Sequence, residues 1–333
     1  MLDRTYRKHI RNSEFLKDNS KHVYLARLDV IQNDIWLNCS SQTKIGNGKC
    51  LNYIINHPEA FIEKLDEYVN KTKGRLSPKL SMHAKDGYVS AIGAIFRHTP
   101  GMIQKKAELY KKWMDIFKIV RNPINQKYNS NKPNKRQEEG SLPFHEIVKI
   151  RESLKSGSIE RLVLSMYTLI PPVRSDYDKL AIYKNEKLIT NENGNYLIMN
   201  NNPFIILKKY KTSKTYKDIR IDLPNKLVIE IKKSLENNPR DFLFVSPRTN
   251  KAFELPNSFN RWINRLLKSI FNKNKMKLSN LRNIYISRRD LKLEEKSGLE
   301  RNEIAKIMGH SVGTQQNYLW HTYENEKSLR TEE

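Results

Sequence analysis

The sequence predicts a two-domain protein that is mainly α-helical, with a small antiparallel β-sheet in the second domain. A polar stretch at 128–141, YNSNKPNKRQEEGS, has no apolar residue after its leading tyrosine and is typical of a linker. Apolar residues recur at helical spacing on both sides of it. Short β-prone runs replace that spacing only between residues 181 and 223. We therefore expect a helical domain at 1–127, a linker at 128–141 and an α+β domain at 142–333.

The first domain is predicted to be a helical bundle. Residues 23–31 have the apolar content of a helix, whereas CSSQTKIGNGKC at 39–50 is typical of a loop, so 1–50 forms an N-terminal extension of mixed character. Further helices are predicted by the apolar sets Phe61, Leu65 and Val69; Val89, Ile92 and Ile95; and Trp113, Ile116, Phe117 and Val120.

The second domain begins with two predicted helices, at 147–154 and 162–170, the latter ended by Pro171-Pro172. Four short strands follow, at 181–183, 196–199, 204–210 and 218–223. Asn193-Gly194 and the TSKT segment provide turns between them. Helical spacing returns at 227–235, 259–270 and 304–308, and the last of these helices stops at Gly309.

The composition limits the classes of function. Lys and Arg number 61 against 36 Asp and Glu, which gives a net charge of +25 spread along the chain. This charge predicts a polyanionic partner, with nucleic acid foremost. The 29% of charged residues excludes a bilayer-embedded protein, and the 38% of hydrophobic residues excludes a disordered one. Cys39 and Cys50 make neither a disulfide framework nor a zinc motif, and the first residues lack a secretion signal, so we expect an intracellular protein.

No GxxxxGK[ST], HExxH or GxSxG motif occurs, so nucleotide hydrolysis, zinc proteolysis and α/β-hydrolase chemistry lack support. A different set of residues occurs in order along the second half. The set comprises Arg174 in PPVRSDYDKL, Lys211 and Lys214 in YKTSKTYKDIRIDLP, Arg282 in LSNLRNIYIS, and His310 and Tyr318 in MGHSVGTQQNYLW. This order resembles the catalytic domain of the tyrosine recombinases, the integrase family that shares its active site with type IB topoisomerases. The helical half is similar to the core-binding domain of that family.

The resemblance implies a C-shaped clamp around duplex DNA and a reaction that cuts and rejoins DNA through a 3′-phosphotyrosine. Tyr318 would be the nucleophile, and Lys211, or else Lys214, the general acid for the leaving 5′-oxygen. Arg174 and Arg282 would neutralise the charge that develops on the phosphate, so neither a metal nor ATP is required. His310 would bond the phosphate or help to move the tyrosine proton.

The chain departs from the family's pattern in three places. The interval from Arg174 to the hairpin lysine is longer than is usual in the family. Ser279 stands three positions before Arg282, where the family commonly has a histidine. A serine can donate a hydrogen bond but cannot act as a base near neutral pH, and it can equally serve as a helix N-cap. The interval from His310 to Tyr318, eight positions, is about one shorter than is common in the family.

The sequence leaves several alternatives open. A topoisomerase-like relaxation enzyme and a catalytically decayed DNA-binding protein fit the same residues. Lys79, Lys85 and Arg97 either grip DNA or belong to a solvated basic face. Recombination implies a homotetramer on paired sites, and the tail with Leu319 and Trp320 would dock on a neighbouring protomer or fold back on its own domain. The Lys- and Asn-rich composition suits an AT-rich genome such as that of a mobile element or a large DNA virus.

Overall fold

In the computed structural model, the described residues are 2–36, 50–68, 80–255, 257–272 and 275–320. The chain divides between Tyr128 and Asn129 into two compact units. The structure is mainly helical with one small sheet, which lies in the second unit, as predicted. Within the described residues, none of the helices has the length and apolarity needed to cross a bilayer.

The first unit is helical, as the spacing predicted. Its helices are α1 Leu2–Asn12, α2 Asp18–Val30, α3 Cys50–Asn56, α4 Pro58–Glu67, α5 Met82–His98, α6 Met102–Lys105 and α7 Ala107–Asn129, with a π-helical stretch at Ile31–Trp36. Helix α5 lies in the core, where Val89, Ile92 and Ile95 are buried, and the Ser81 side chain caps its start. Of the loop predicted at 39–50, Cys50 instead begins α3, and the rest lies outside the described residues, as do Val69 and the candidate DNA ligand Lys79.

The second unit combines helices with the sheet. Its helices are α8 Lys135–Glu138, α9 Phe144–Ser153, α10 Ile159–Thr168, α11 Ser213–Tyr216, α12 Asn225–Asn237, α13 Ser258–Phe271, α14 Leu278–Ser287, α15 Gly298–Ile307 and α16 Val312–Gln316. Its strands are β1 Ala181–Tyr183, β2 Tyr196–Ile198, β3 Phe204–Leu207 and β4 Ile219–Asp222. One apolar core joins α10, α12, α13 and α14 to the inner face of the sheet.

The sheet is mixed rather than antiparallel throughout. The strands lie in the order β1-β2-β3-β4, and the two later pairs are antiparallel, but β1 runs parallel to β2. Asn193-Gly194 forms a turn, yet the turn lies inside a long connection at 184–195 that also contains a 3₁₀ turn at Glu186–Leu188. A connection of that length can return the chain to the end of the sheet at which β1 begins, so β2 runs in the same direction as β1.

The stretch predicted as a linker is partly folded onto the second unit. Helix α8 lies within it and begins with a reciprocal capping box between Asn134 and Gln137. Glu139 pairs with Lys275 at 2.6 Å, and the carbonyl of Gln137 accepts a bond from Asn280. Residues 134–140 are therefore held against the element that leads into α14.

Candidate active site

The end of helix α15 organises the candidate site. A capping box of Ser297 and Glu300 starts the helix, and Gly309 ends it with a φ of 68°. The amide of His310 bonds the carbonyl of Ala305 at 3.0 Å, and that of Gly309 bonds Lys306 at 2.9 Å. These two bonds form a Schellman motif, which satisfies the carbonyls of Ala305 and Lys306 and leaves those of Met308 and Gly309 for side chains.

Side chains from three other elements bind those carbonyls. Arg282, on α14, donates from Nη2 to the carbonyl of Met308 at 3.0 Å. Arg174 donates from Nη1 to the carbonyl of Gly309 at 3.0 Å, and the hydroxyl of Thr212 donates to the same oxygen at 2.8 Å. The Gly-His turn thus brings together residues that stand far apart in the sequence.

Arg174 follows the proline pair that ends α10. The buried Pro172 and Val173 anchor the chain there, and the hydroxyl of Tyr167 donates to the carbonyl of Arg174 at 2.9 Å. The side chain is half-buried and reaches across to α15. The proline pair that was predicted to end α10 therefore helps to fix the position of Arg174.

Arg282 is almost completely buried, with 2% of its surface exposed. Its Nε and Nη1 atoms have no partner among the described residues. Burial lowers its pKa to about 10, so the guanidinium remains charged at neutral pH. A buried charged donor without an acceptor is costly, so these two atoms would favour the binding of an anionic group.

His310 is also buried, with 3% exposure, and is held in the neutral form. Burial, together with the charges of Arg282 and Arg174, lowers its pKa to about 4, against a bond to Ser311 that raises it. Nδ1 lies 3.1 Å from the carbonyl of Ser311, and since a carbonyl only accepts, Nδ1 carries the proton. Nε2 therefore has a free lone pair, and it lacks a partner in the described part of the chain.

Tyr318 lies against both of these residues. The Ser311 side chain caps α16, and Tyr318 follows that helix with its amide bonded to the carbonyl of Gln315. Its ring stacks on His310 with centroids 5.1 Å apart and an interplanar angle of 25°. The Cζ atom of Arg282 lies 4.8 Å from the ring centroid, a cation–π distance. The ring thus covers the two buried side chains.

Lys211 and Lys214 lie in the connection between β3 and β4, and both are exposed. Lys211 adjoins Thr212, whose hydroxyl bonds the Gly309 carbonyl, whereas Lys214 lies in α11. The buried Asn195 holds the start of this connection, because its amide oxygen accepts from the amides of Lys208 and Lys209. The loop is therefore tied to the Gly-His turn next to Lys211.

Asp176 is a further titratable residue of the site that sequence reasoning did not single out. Burial raises its pKa to about 6, although the charges of Arg174 and Arg282 lower it. The carboxylate is thus mainly ionised at pH 7 and partly balances the charges of the half-buried Arg174 and the buried Arg282. Its place two positions after Arg174 was the only signal in the sequence.

Ser279 is not a helix N-cap, so that alternative is wrong. Helix α14 begins after Lys277, and Ser279 is its second residue. The side chain is exposed. Apolar Leu278 and Leu281 turn into the core instead, and this rotation of the helix leaves Ser279 on the outer face.

The described part of the tail folds back on its own unit. Trp320 is 4% exposed and packs in the core of the second unit, and Leu319 packs beside Tyr285 and Met308. Of the two alternatives, the structure supports the fold-back for both residues. An indole that is already buried is not available to a neighbouring protomer.

The candidate DNA ligands of the first unit differ in their surroundings. Lys85 pairs with Asp66, and its side chain is 19% exposed. Arg97, in the last turn of α5, is exposed. Only Arg97 thus offers its charge to solvent without a carboxylate partner in the described ion pairs.

Comparison with solved structures finds proteins of similar fold. The chain is similar to a crystal structure of XerA recombinase, with a TM-score of 0.41 and 17% sequence identity over 100% of this chain and 98% of the other. No protein-family model matches the sequence, and no curated protein matches it either.

Proposed function

We propose that this protein is a site-specific DNA recombinase that cuts and rejoins DNA through a phosphotyrosine at Tyr318. The observation that carries the proposal is the set of buried, unpartnered nitrogen atoms beside that tyrosine. Within the described residues, Arg282 offers two donor atoms without a partner, and His310 offers one such acceptor. The oxygens of a phosphodiester can accept hydrogen bonds from Arg282, and the phenol of Tyr318 can give its proton to His310.

The charges at the site suit a phosphoryl transfer. Arg174 and Arg282 meet at the end of α15, and Asp176 is the carboxylate whose charge acts on both of them. In-line attack increases the negative charge on the non-bridging oxygens. Two fixed guanidiniums stabilise that charge best when water is excluded, as it is around the buried Arg282.

The reaction begins when the ring of Tyr318 turns away from its stacked position. A ring stacked on imidazole cannot direct its O–H at a lone pair in the imidazole plane, so reorientation precedes proton transfer. The phenol oxygen then attacks phosphorus while its proton passes to His310 Nε2. The bond from phosphorus to the 5′-oxygen breaks, and Lys211 protonates the leaving oxygen. A 5′-hydroxyl from a partner strand reverses these steps.

Trapping of the covalent intermediate tests the proposal. Duplexes selected from a random pool by binding are nicked near the cleavage position, so that the short 5′-hydroxyl fragment is lost, and are incubated with the full chain in EDTA. We expect a denaturation-resistant adduct that is absent in Tyr318→Phe and present in Tyr323→Phe. Mass mapping of the adduct should place the nucleotide on Tyr318.

Other outcomes distinguish the alternatives. Relaxation of supercoiled plasmid without strand exchange would indicate a topoisomerase-like enzyme. Binding of the selected duplexes with no adduct on any of them would indicate a DNA-binding protein without catalysis. The clamp around DNA and the tetramer on paired sites belong to this proposal and are tested by cross-linking of protomers on a two-site duplex.

A further inference from the structure

Helix α14 holds Tyr318 by its main chain. Asn283 donates from Nδ2 to the carbonyl of Tyr318 at 3.1 Å, and the hydroxyl of Ser287 lies 3.4 Å from the same oxygen. Ser287 also accepts a bond from the amide of Trp320 at 2.7 Å. The two side chains are one helical turn apart and bind the backbone on both sides of the tyrosine.

These bonds matter because the segment that carries Tyr318 has little regular structure of its own to hold it in place. Helix α16, which leads to Tyr318, has only five residues, and so short a helix is not stable by itself. Beyond α16, the tyrosine is connected to the rest of the site through Asn283 and Ser287, through the packing of Leu319 and Trp320, and through the contacts of its ring with His310 and Arg282. The stacking is lost when the ring turns toward a phosphate, whereas the main-chain bonds can remain.

Helix α14 also carries Arg282, the residue next to Asn283. The helix thus holds a phosphate ligand and the backbone of the nucleophile in one rigid element. Attack needs the phenol oxygen within about 3–3.5 Å of phosphorus and in line with the leaving group. A backbone fixed to the same helix as the phosphate ligand leaves rotation of the Tyr318 side chain as the main adjustment.

We propose that Asn283 and Ser287 are positioning residues for Tyr318, which hold its main chain in place while its ring moves from His310 to the scissile phosphate. The inference rests on the proposed function. Neither residue touches the substrate; both act through the carbonyl of Tyr318 and the amide of Trp320. Their loss should slow the chemical step and leave DNA affinity unchanged.

The experiment compares Asn283→Ala, Ser287→Ala and Ser287→Thr with the wild-type chain on the trapping duplex. Asn280→Ala is the matched control, since Asn280 is a buried amide on the same helix that bonds the carbonyl of Gln137 rather than Tyr318. The readouts are DNA affinity, the rate and amplitude of single-turnover cleavage, and the rate of religation from the adduct.

We expect Asn283→Ala and Ser287→Ala to slow cleavage roughly ten- to a hundred-fold, the range for a nucleophile displaced by about 1 Å. Religation should slow by the same factor, because both directions share one transition state. Ser287→Thr keeps the hydroxyl and should restore the rate. Partial unfolding of a variant would instead lower the amplitude of cleavage. Asn280→Ala shows how far the loss of a buried amide on α14 lowers that amplitude.

Two failures can be told apart. If the wild-type chain forms no adduct, the proposed function fails and the positioning role fails with it. If the wild-type chain forms the adduct and Asn283→Ala and Ser287→Ala form it at the same rate, the positioning role alone is wrong. It is also wrong if Asn280→Ala slows cleavage as much as they do.

Discussion

At the scale of single residues, burial decides which proton each candidate catalytic group can carry. His310 is neutral because its ring lies under Tyr318 and beside two arginines, so it can accept a proton but cannot supply a positive charge. Arg282 remains charged although it is equally buried, because a guanidinium binds its proton far more tightly. In the proposed reaction, the positive charge for the phosphate would therefore come from arginine, and histidine would be available as the base.

The depressed pKa of His310 predicts how stability depends on pH. The unfolded chain binds a proton at this residue near pH 6.5, whereas the folded chain does so only near pH 4. Stability should therefore fall as the pH drops from about 6.5 to about 4, by up to roughly 3 kcal/mol for the second unit. The measurement is urea unfolding of the full chain at several pH values, for the wild type and His310→Gln.

The variant is needed because Asp176 acts in the opposite direction. Its pKa is raised in the folded state, so it adds stability as the pH falls from about 6 toward 4. Asp176 is present in both proteins, and its contribution cancels in the difference. Parallel pH profiles for the wild type and His310→Gln would contradict a buried, neutral histidine.

The choice between Lys211 and Lys214 as general acid is a second prediction at this scale. We expect Lys211 to be the acid, because its neighbour Thr212 is bonded to the Gly-His turn. Lys211→Ala should slow cleavage by about 10²–10⁴, the usual contribution of general acid catalysis, and Lys214→Ala much less. The measurement is single-turnover cleavage of the trapping duplex.

A substrate with sulfur in place of the bridging 5′-oxygen provides the control. A thiol has a pKa of about 8.5, so its thiolate leaves without a proton from the enzyme. We expect this substrate to restore cleavage by Lys211→Ala and not by variants of Arg174 or Arg282. If sulfur rescues Lys214→Ala instead, the assignment is reversed.

At the scale of elements, the turn at Gly309 brings the residues of the site together. Its φ is positive, so the position favours a residue that adopts positive φ without strain. A Cβ there would meet Arg174, Thr212 and Tyr210 at 3.4–3.5 Å, which is ordinary contact, so the cost of a side chain is conformational. Gly309→Ala should lower the free energy of unfolding by about 1 kcal/mol, as measured by urea denaturation.

The same helix offers the control for this substitution. Gly298 is the first residue of α15, and a Cβ there would meet nothing within 4 Å. Gly298→Ala should be neutral or stabilise by about 0.4–1 kcal/mol, because alanine restricts the unfolded chain. Gly309→Asn should lose less stability than Gly309→Ala, since asparagine tolerates positive φ. Equal effects of alanine at both glycines would contradict the argument.

The positions of many elements, though not their boundaries, were predictable because they depend on local patterns. Apolar spacing located α5, α7, α10, α12, α13 and α15, and β-prone runs located all four strands. The parallel pairing of β1 with β2 was not predictable, since strand direction depends on the path of residues 184–195 rather than on any local signal. The same reason explains why Asn195, Asn283 and Ser287 were missed. Each of these side chains bonds a backbone atom that is distant in the sequence and that only the fold brings close to it.

At the scale of the whole molecule, the net charge of +25 predicts a strong dependence of DNA affinity on salt. The charge does not say which residues contact phosphate, because many lysines and arginines pair with carboxylates of the same unit. Such a pair has already neutralised its cation, so it releases few counterions when DNA binds. The described ion pairs therefore refine the list of candidate ligands.

Arg97 and Lys85 should differ in their contribution to DNA affinity. They stand about 18 Å apart along α5, at 1.5 Å per residue. Lys85 is paired with Asp66, whereas Arg97 is exposed. Arg97→Gln should reduce the slope of log affinity against log salt by about 0.9, the value for one phosphate contact, and Lys85→Gln should leave it nearly unchanged. Titrations of a fixed duplex at several salt concentrations measure both slopes.

Asp66 supplies the test of the reason behind that difference. If the ion pair is what keeps Lys85 from DNA, Asp66→Asn should raise affinity at low salt, and the gain should disappear when Lys85→Gln is added. Equal losses from Lys85→Gln and Arg97→Gln would mean that the Lys85–Asp66 pair opens on DNA. An unchanged slope in Arg97→Gln would remove this end of α5 from the DNA-binding surface, because an exposed cation that contacts phosphate must release counterions.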